Sequence, residues 1–290
     1  MTADHMKQTI TLKDGRALSF AEYGDPAGRV VFHFHGSAGS RLERPADNSI
    51  LTDLRIRYLS TDRPGHGLSD AQPRRKLLDW PDDISQLADH LGIEKFYVLG
   101  WSAGGPYALA CAYRLAEQVL AGAVVSGLAP PDRPHPYRGL PLASRILMFV
   151  FRRIPRLVYA FRRMGFATMQ GNPQDLGQKL VSSLPPADRR LFLIPENQEL
   201  FIADIQEGYR QGWQGPAQDD IIANRPWGFN LEAIKVRIDI WQGQVDKNVP
   251  LNQGQYQHER IPISRLIVLP GLAHLALLST WREVLEALVE

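Results

Sequence analysis

The chain has 290 residues, with 44% hydrophobic and 22% charged residues and a formal net charge of +2. That is the balance of a soluble globular protein, long enough to bury a large core in one α/β domain or in a domain with an inserted lobe. It excludes a nucleic-acid footprint built on overall charge, and the single cysteine, Cys111, excludes an intrachain disulfide or a CxxC metal or redox site.

Met1 to Arg16 is polar and lacks the apolar core of a signal peptide. No window approaches the ~18 to 20 apolar residues of a membrane span; the most apolar run, Ile146 to Phe151, is followed at once by Arg152 and Arg153. With no disulfide to form, a reducing cytoplasm is the expected location. Thr9 to Leu12 and Ala17 to Tyr23 read as a hairpin around the Lys13-Asp14-Gly15-Arg16 turn. Val30 to Phe34 and Arg57 to Thr61 are short strand candidates, ending at His35-Gly36 and at Asp62-Arg63-Pro64-Gly65. Asp79 to Leu91 reads as a helix, with Asp79 as N-cap, Ile84, Leu87 and Leu91 on one face, and Gly92 as terminator. Phe96 to Leu99 is a buried strand, followed by Gly100-Trp101-Ser102-Ala103-Gly104, a small-residue helix to about Glu117 and a strand from Ala121 to Val125.

This alternation predicts a mostly parallel sheet with helices on its faces, whose functional loops lie at the carboxyl ends of the strands. The pattern breaks near Ala129, where Pro130, Pro131, Pro134, Pro136 and Pro141 cluster. From Leu142 to about Arg225 only helical segments are found. Strands resume at Ile238 to Trp241 and Leu266 to Leu269, and a helix from about Leu275 to Val289 ends the chain. The expected organisation is an α/β core of residues 1–129 and 236–290, with a helical lid, residues 130–235, inserted after the sixth strand.

Gly100-Trp101-Ser102-Ala103-Gly104 matches G-x-S-x-G between a strand and a helix. Glycines at both ends let strand and helix approach closely, exposing Ser102 at the positive end of a helix dipole. A hydroxyl is a weak nucleophile at neutral pH and needs a base. His274, just after the last predicted strand, is favoured over His35, His66, His90, His135, His258, His5 and His33 for its strand-end position. The base needs an acid to hold its tautomer. Asp246 follows a strand and gives the order Ser, Asp, His; Asp239, within the strand, and Asp132, after Pro130-Pro131, are its rivals. The Gly-rich loop His35-Gly36-Ser37-Ala38-Gly39-Ser40 can turn backbone N–H groups into a cleft, so the N–H groups of Ser37 and Ala103 are candidates for an oxyanion hole. It lacks the phosphate-binding patterns G-x-x-x-x-G-K-[ST] and G-x-G-x-x-G.

These motifs together resemble the α/β-hydrolase superfamily over nearly the whole chain. The landmarks are His35-Gly36, Asp62-Arg63-Pro64-Gly65-His66-Gly67-Leu68-Ser69, Gly100-Trp101-Ser102-Ala103-Gly104, Gln242 to Pro250 and Pro270-Gly271-Leu272-Ala273-His274, in order. The resemblance implies an eight-stranded, mostly parallel sheet with a helical lid, and acyl transfer through a covalent acyl-enzyme without cofactor or metal. Ser102 argues against the dehalogenases and epoxide hydrolases of the superfamily, which use Asp. Two departures bear on loop geometry: Ala38 stands where many relatives carry Pro, and Leu272-Ala273 where many carry an acidic residue and Gly.

Leu142 to Met164 is apolar with interleaved Arg145, Arg152, Arg153, Arg156, Arg162 and Arg163. Such a segment can lie on an anionic membrane surface, steer an acidic substrate or present a solvated Arg face. The solvated face is favoured, because Pro155 interrupts the helix and apolar residues are needed to close the cleft. Trp101, Trp213, Trp227 and Phe229 are candidate pocket aromatics. The expected activity is hydrolysis of a small to medium carboxylic ester or activated amide, a small-molecule substrate with no nucleic-acid partner. The alternatives are perhydrolysis, carbon–carbon bond hydrolysis or lyase chemistry on the same triad, or a ligand receptor on a hydrolase scaffold.

Overall fold

The computed structural model describes residues 3–290; Met1 and Thr2 of the polar N-terminal stretch lie outside the described residues. Eight strands form one sheet: β1 (Gln8–Thr11), β2 (Ala17–Gly24), β3 (Arg29–Phe34), β4 (Ile56–Thr61), β5 (Phe96–Trp101), β6 (Val119–Val125), β7 (Arg237–Gly243) and β8 (Ser264–Leu269). Their order is β1-β2-β4-β3-β5-β6-β7-β8, with β1–β2 and β2–β4 antiparallel and every other pair parallel. The mostly parallel eight-stranded sheet expected from the sequence is therefore present. The strand order reverses at β3, so the loops after β3 and β5 open a crevice at the sheet's carboxyl edge. Phe34 of β3 pairs with Gly100 of β5, which sets Ser37 and Ser102 on neighbouring strand ends.

Helices α1 (Ser49–Asp53), α2 (Trp80–His90), α3 (Gly105–Arg114), α10 (Leu251–Arg260) and α11 (Leu277–Val289) flank the sheet. Strand side chains alternate between two faces. Phe32, Phe34, Phe96 and Val98 pack with Trp80, Ile84 and Leu87 of α2 and Leu109 of α3. Val31, Leu99 and Trp101 face the other way, with Leu51 of α1 and Trp281, Leu285 and Leu288 of α11. Two local readings change. Asp79 stands at the N-cap position of α2 but its carboxylate caps no N–H of that helix; it accepts the N–H of Lys76 and closes a 3-10 turn, Leu77–Asp79, ahead of the helix. Helix α10 lies between the predicted strands Ile238–Trp241 and Leu266–Leu269, where the sequence pattern predicts no helix; its buried face is polar, Gln253 and Gln257, so it carries no apolar stripe to betray it.

Between β6 and β7 the chain forms α4 (Leu142–Arg153), α5 (Arg156–Met169), α6 (Pro173–Ser183), α7 (Pro186–Phe192), α8 (Pro195–Gly208) and α9 (Gln214–Ala223). Prolines open several of these helices at positions where their missing N–H costs nothing. Carboxylates fasten this insertion to the sheet. Asp219 of α9 lies buried between Arg63 and Arg75, accepting from Arg63 Nε at 2.6 Å, from Arg75 and from the Tyr107 hydroxyl. The two guanidinium groups overcome the burial that would raise its pKa and hold the carboxyl well below the usual range. Glu207 of α8 binds Arg41 at 2.7 Å, and Asp204 accepts from the backbone N–H and hydroxyl of Ser40.

Removing one member of a buried ion cluster leaves the others uncompensated. Asp219→Ala is therefore expected to lower unfolding free energy by about 3–5 kcal/mol in urea titrations, whereas loss of an exposed pair such as Arg282–Asp53 should leave it nearly unchanged.

Candidate active site

Ser102 begins a 3-10 turn, Ser102–Gly104, that leads from β5 into α3. Its φ of 52° is in the left-handed region, a conformation costing of order 1–3 kcal/mol for a non-glycine residue. The turn is tight enough that a Cβ on Gly104 would come within 1.9 Å of the Phe34 carbonyl oxygen, and one on Gly100 within 2.4 Å of the Gly104 carbonyl oxygen. Both glycines of the motif are thus required by close approach, and the outcome is a partly exposed Ser102 hydroxyl at a helix start.

His274 follows β8, and Asp246 follows β7. The structure brings the three side chains together. Ser102 Oγ lies 2.9 Å from His274 Nε2, and His274 Nδ1 lies 2.9 Å from Asp246 Oδ2. An ionised carboxylate only accepts, so Nδ1 carries the proton and Nε2 offers its lone pair to the serine hydroxyl. Asp246 is itself buried and held: Oδ1 accepts the N–H groups of Asn248 and Val249 at 2.8 and 2.9 Å. Burial alone would depress the His274 pKa; the charge and hydrogen bond of Asp246, helped by Asp188 and Glu43, outweigh it and leave the pKa raised.

The rivals lie elsewhere. Asp239 is buried within β7 and pairs with Arg265. Asp132 lies on the exposed loop after β6. His35 donates from Nδ1 to the Gly36 carbonyl, while His66 sits beside Asp219; burial drives the pKa of both down, so neither titrates near neutrality.

Ser37 and Ala103, whose N–H groups are the expected oxyanion donors, line the same cavity as Ser102 and His274. The loop that carries Ser37 is braced from several sides. Glu43 accepts the Gly36 N–H at 3.0 Å and shares a 2.5 Å hydrogen bond with His33, and Arg63 donates to the Gly36 carbonyl at 2.9 Å. Ala38 adopts φ 61°, which a proline, fixed near −65°, cannot reach. The departure at this position therefore has a geometric counterpart in the loop.

Three supporting residues were not singled out from sequence. Asp188 of α7 accepts the backbone N–H groups of His274 and Leu275 at 3.3 and 2.8 Å, capping the turn that presents the imidazole. Nothing in Pro185-Pro186-Ala187-Asp188 signals this. Glu43 is a buried carboxyl whose pKa burial pushes up. Arg162, noted only as one of several arginines, reaches the cavity, donates to Ser37 Oγ at 2.7 Å and pairs with Asp220 at 2.6 and 2.8 Å.

The cavity has a volume of about 360 Å³. Its walls are mainly apolar, from Leu128, Leu147, Met148, Phe151, Phe161 and Val249. The four aromatics expected there do not line it. Trp101 lies beneath the site, stacked on His274 at 6.1 Å with its Nε1 donating to the His274 carbonyl. Trp213 packs against Phe166. Trp227 and Phe229 pack on each other, and Phe229 stacks on Tyr113. Each is placed by the apolar area it buries, whereas most of the apolar wall comes from α4 and α5. A larger cleft, about 770 Å³, runs between α6 and α8 and includes neither Ser102 nor His274. Among the described residues no group of three or more His, Cys, Asp or Glu is arranged to hold a metal ion.

The sequence profile described as alpha/beta hydrolase fold matches residues 29–279. The chain belongs to this family. Its relatives include a bifunctional esterase/perhydrolase of Acinetobacter calcoaceticus, 24% identical and covering 91% of this chain and 92% of its own length. A non-heme haloperoxidase of Rhodococcus erythropolis is 26% identical with the same coverage. Among solved structures, an esterase from Exiguobacterium antarcticum superposes with a TM-score of 0.69 at 20% identity, covering 98% of each chain. A hydrolase from Pseudomonas aeruginosa gives 0.71 at 17% identity, again over 98% of each chain.

Replacing Asp246 by Asn removes the principal charge that raises the His274 pKa and leaves the burial that lowers it. NMR titration of the imidazole is expected to show a midpoint above the ordinary histidine value in the native chain and below it in Asp246→Asn. An unchanged midpoint would sink the assignment of Asp246 as the orienting acid.

Proposed function

We propose that the chain is a serine hydrolase that cleaves a small to medium carboxylic ester, or an activated amide, through an acyl-enzyme on Ser102. The observation that carries this reading is the unbroken chain of hydrogen bonds from Ser102 through His274 to Asp246.

In this mechanism Ser102 Oγ attacks the substrate carbonyl carbon as its proton passes to His274 Nε2. The negative charge on the carbonyl oxygen is met by the N–H groups of Ser37 and Ala103, each such donor being worth about 3–4 kcal/mol in the transition state. Asp246 stabilises the imidazolium without taking its proton. Collapse of the intermediate breaks the ester C–O bond, and the imidazolium protonates the departing alcohol. His274 then deprotonates a water that attacks the acyl carbon, releasing the acid and restoring the Ser102 hydroxyl. Residues 130–235 act as the lid that roofs the acyl site. Its apolar wall favours an uncharged acyl group, and its volume of about 360 Å³ sets the size class.

A second reading concerns the species that accepts the acyl group. Two relatives are a perhydrolase and a haloperoxidase by name. Hydrogen peroxide attacking the same acyl carbon in place of water would release a peracid. Peracid formation from an ester and peroxide, measured beside hydrolysis, separates the two.

A fluorophosphonate is expected to label Ser102 stoichiometrically, located by peptide mass spectrometry, with labelling lost in His274→Ala. Ser102→Ala and His274→Ala should each cut kcat by about 10^4- to 10^6-fold with folding intact. Because His274 works as a neutral base, kcat/KM should rise with pH through its pKa, above the ordinary imidazole midpoint. Failure of the folded chain to label or to turn over any ester, with a ligand still bound, would instead indicate a receptor on this scaffold.

A further inference from the structure

Helices α4 and α5 turn apolar side chains outward. On α4, Leu142, Ile146 and Phe149 recur at helical spacing on the exposed face; on α5, Leu157 and Met164 do the same. Met164 is 82% exposed and Leu142 70%. The inward sides of both helices share one small core with α9, built on Phe151, Val158 and Ala217. Phe151 and Phe161 also pack edge to face at 5.5 Å between the two helices. The exposed residues of α4 lie opposite its buried Phe151, and Ile154, itself exposed, follows at the turn into α5. The expectation that these apolar residues would be used up in closing the cleft holds only for Leu147, Met148, Phe151 and Phe161.

The same segment carries Arg138, Arg145, Arg152, Arg153, Arg156, Arg162 and Arg163, with no Asp or Glu between Asp132 and Asp175. Arg162 is matched by Asp220 and Arg152 donates to the Pro131 carbonyl. Arg145, Arg153, Arg156 and Arg163 are exposed beside the apolar stripes, and Arg153 lies over the ring of Phe149. An exposed apolar patch bordered by cations of one sign marks an interaction surface. The charge selects among occupants: a second copy docked two-fold on this face would set arginines against their own equivalents. An anionic lipid surface meets both features, with acyl chains for the stripes and phosphates for the guanidinium groups. No helix among the described residues is long and apolar enough to cross a membrane, so the contact is one of lying on the surface.

We propose that the α4–α5 hairpin docks the chain on an anionic lipid bilayer, with its outward apolar stripes at headgroup depth and its arginines on the lipid phosphates. The cavity that holds Ser102 lies directly beneath this hairpin, which lends it Leu147, Met148, Phe151 and Phe161. Docking would thus set the mouth of the site near the lipid phase.

The test is co-sedimentation of the full chain, and of Ser102→Ala, with phosphatidylcholine vesicles with and without phosphatidylglycerol. Both proteins are expected to sediment with the anionic vesicles at low salt, weakly with neutral ones, and less as salt screens the phosphates. Ile146→Ser/Phe149→Ser/Met164→Ser and, separately, Arg153→Gln/Arg156→Gln should each weaken partitioning by on the order of tenfold. Thermal unfolding shows that each variant is folded, and none of these residues borders the Ser102 cavity. No binding to anionic vesicles at low salt, or binding as strong in both variants as in the unsubstituted chain, overturns the proposal. So does a dimer by light scattering that the triple substitution dissociates, since a second copy would then cover the face. Use of Ser102→Ala keeps the outcome separate from the fate of the hydrolase reading.

Discussion

A carboxylate taken out of water must be matched by donors, and the insertion between β6 and β7 is organised around that constraint. Asp188 of α7, Asp204 and Glu207 of α8 and Asp219 of α9 each close on a group of the sheet or its loops. The partners are not random surface groups. Asp204 holds the loop after β3, Asp219 the arginine that braces that loop, and Asp188 the backbone at His274. Neutral or absent partners would leave polar atoms buried and unpaired, a cost of about 1–3 kcal/mol each. Buried apolar residues of the same insertion, among them Leu176, Phe192, Ile202, Ile205 and Tyr209, add to this seat, whereas much of the apolar surface of α4 and α5 faces the cavity or the solvent.

The geometry around Ser102 inherits this arrangement. Ser102 is strained by a turn that two glycines permit, and His274 is oriented at one end by Asp246 and at its backbone by Asp188. The Ser37 loop is held by Glu43, Arg63 and Asp204, with Arg162 on its exposed side. Preorganisation of this kind spends folding energy so that donors need not reorganise when charge develops. The opposing effects on His274 show the same balance: burial disfavours the imidazolium, and fixed negative groups restore it.

What the sequence revealed follows from which features are local. Gly100 to Gly104, the strand ends before His35, Asp246 and His274, and the alternation of strands and helices are all written within short windows, so the sheet and the three side chains of the site were legible. Asp188, Glu43 and Asp204 were not, because their partners lie far away in the chain and a carboxylate on a helix looks the same whether buried or solvated. The aromatics misled for a related reason. Trp213, Trp227 and Phe229 are conspicuous in sequence, but large rings settle wherever they bury most area, and that place was the packing beneath the helices. Helix α10 escaped because its inward residues are glutamines, whose amides bond to the backbone of the loop after β6.

The seat of Asp188 has a consequence for how such a protein can diversify. The segment that shapes the cavity beside Ser102 also supplies the acceptor for the backbone of His274, so the two cannot be exchanged as independent modules. A chimera bearing another relative's helices would import a new pocket together with an untested hold on His274. Divergence in substrate preference is easier by single replacements on the inward face of α4, at Leu147 or Met148, which leave every carboxylate tie where it is.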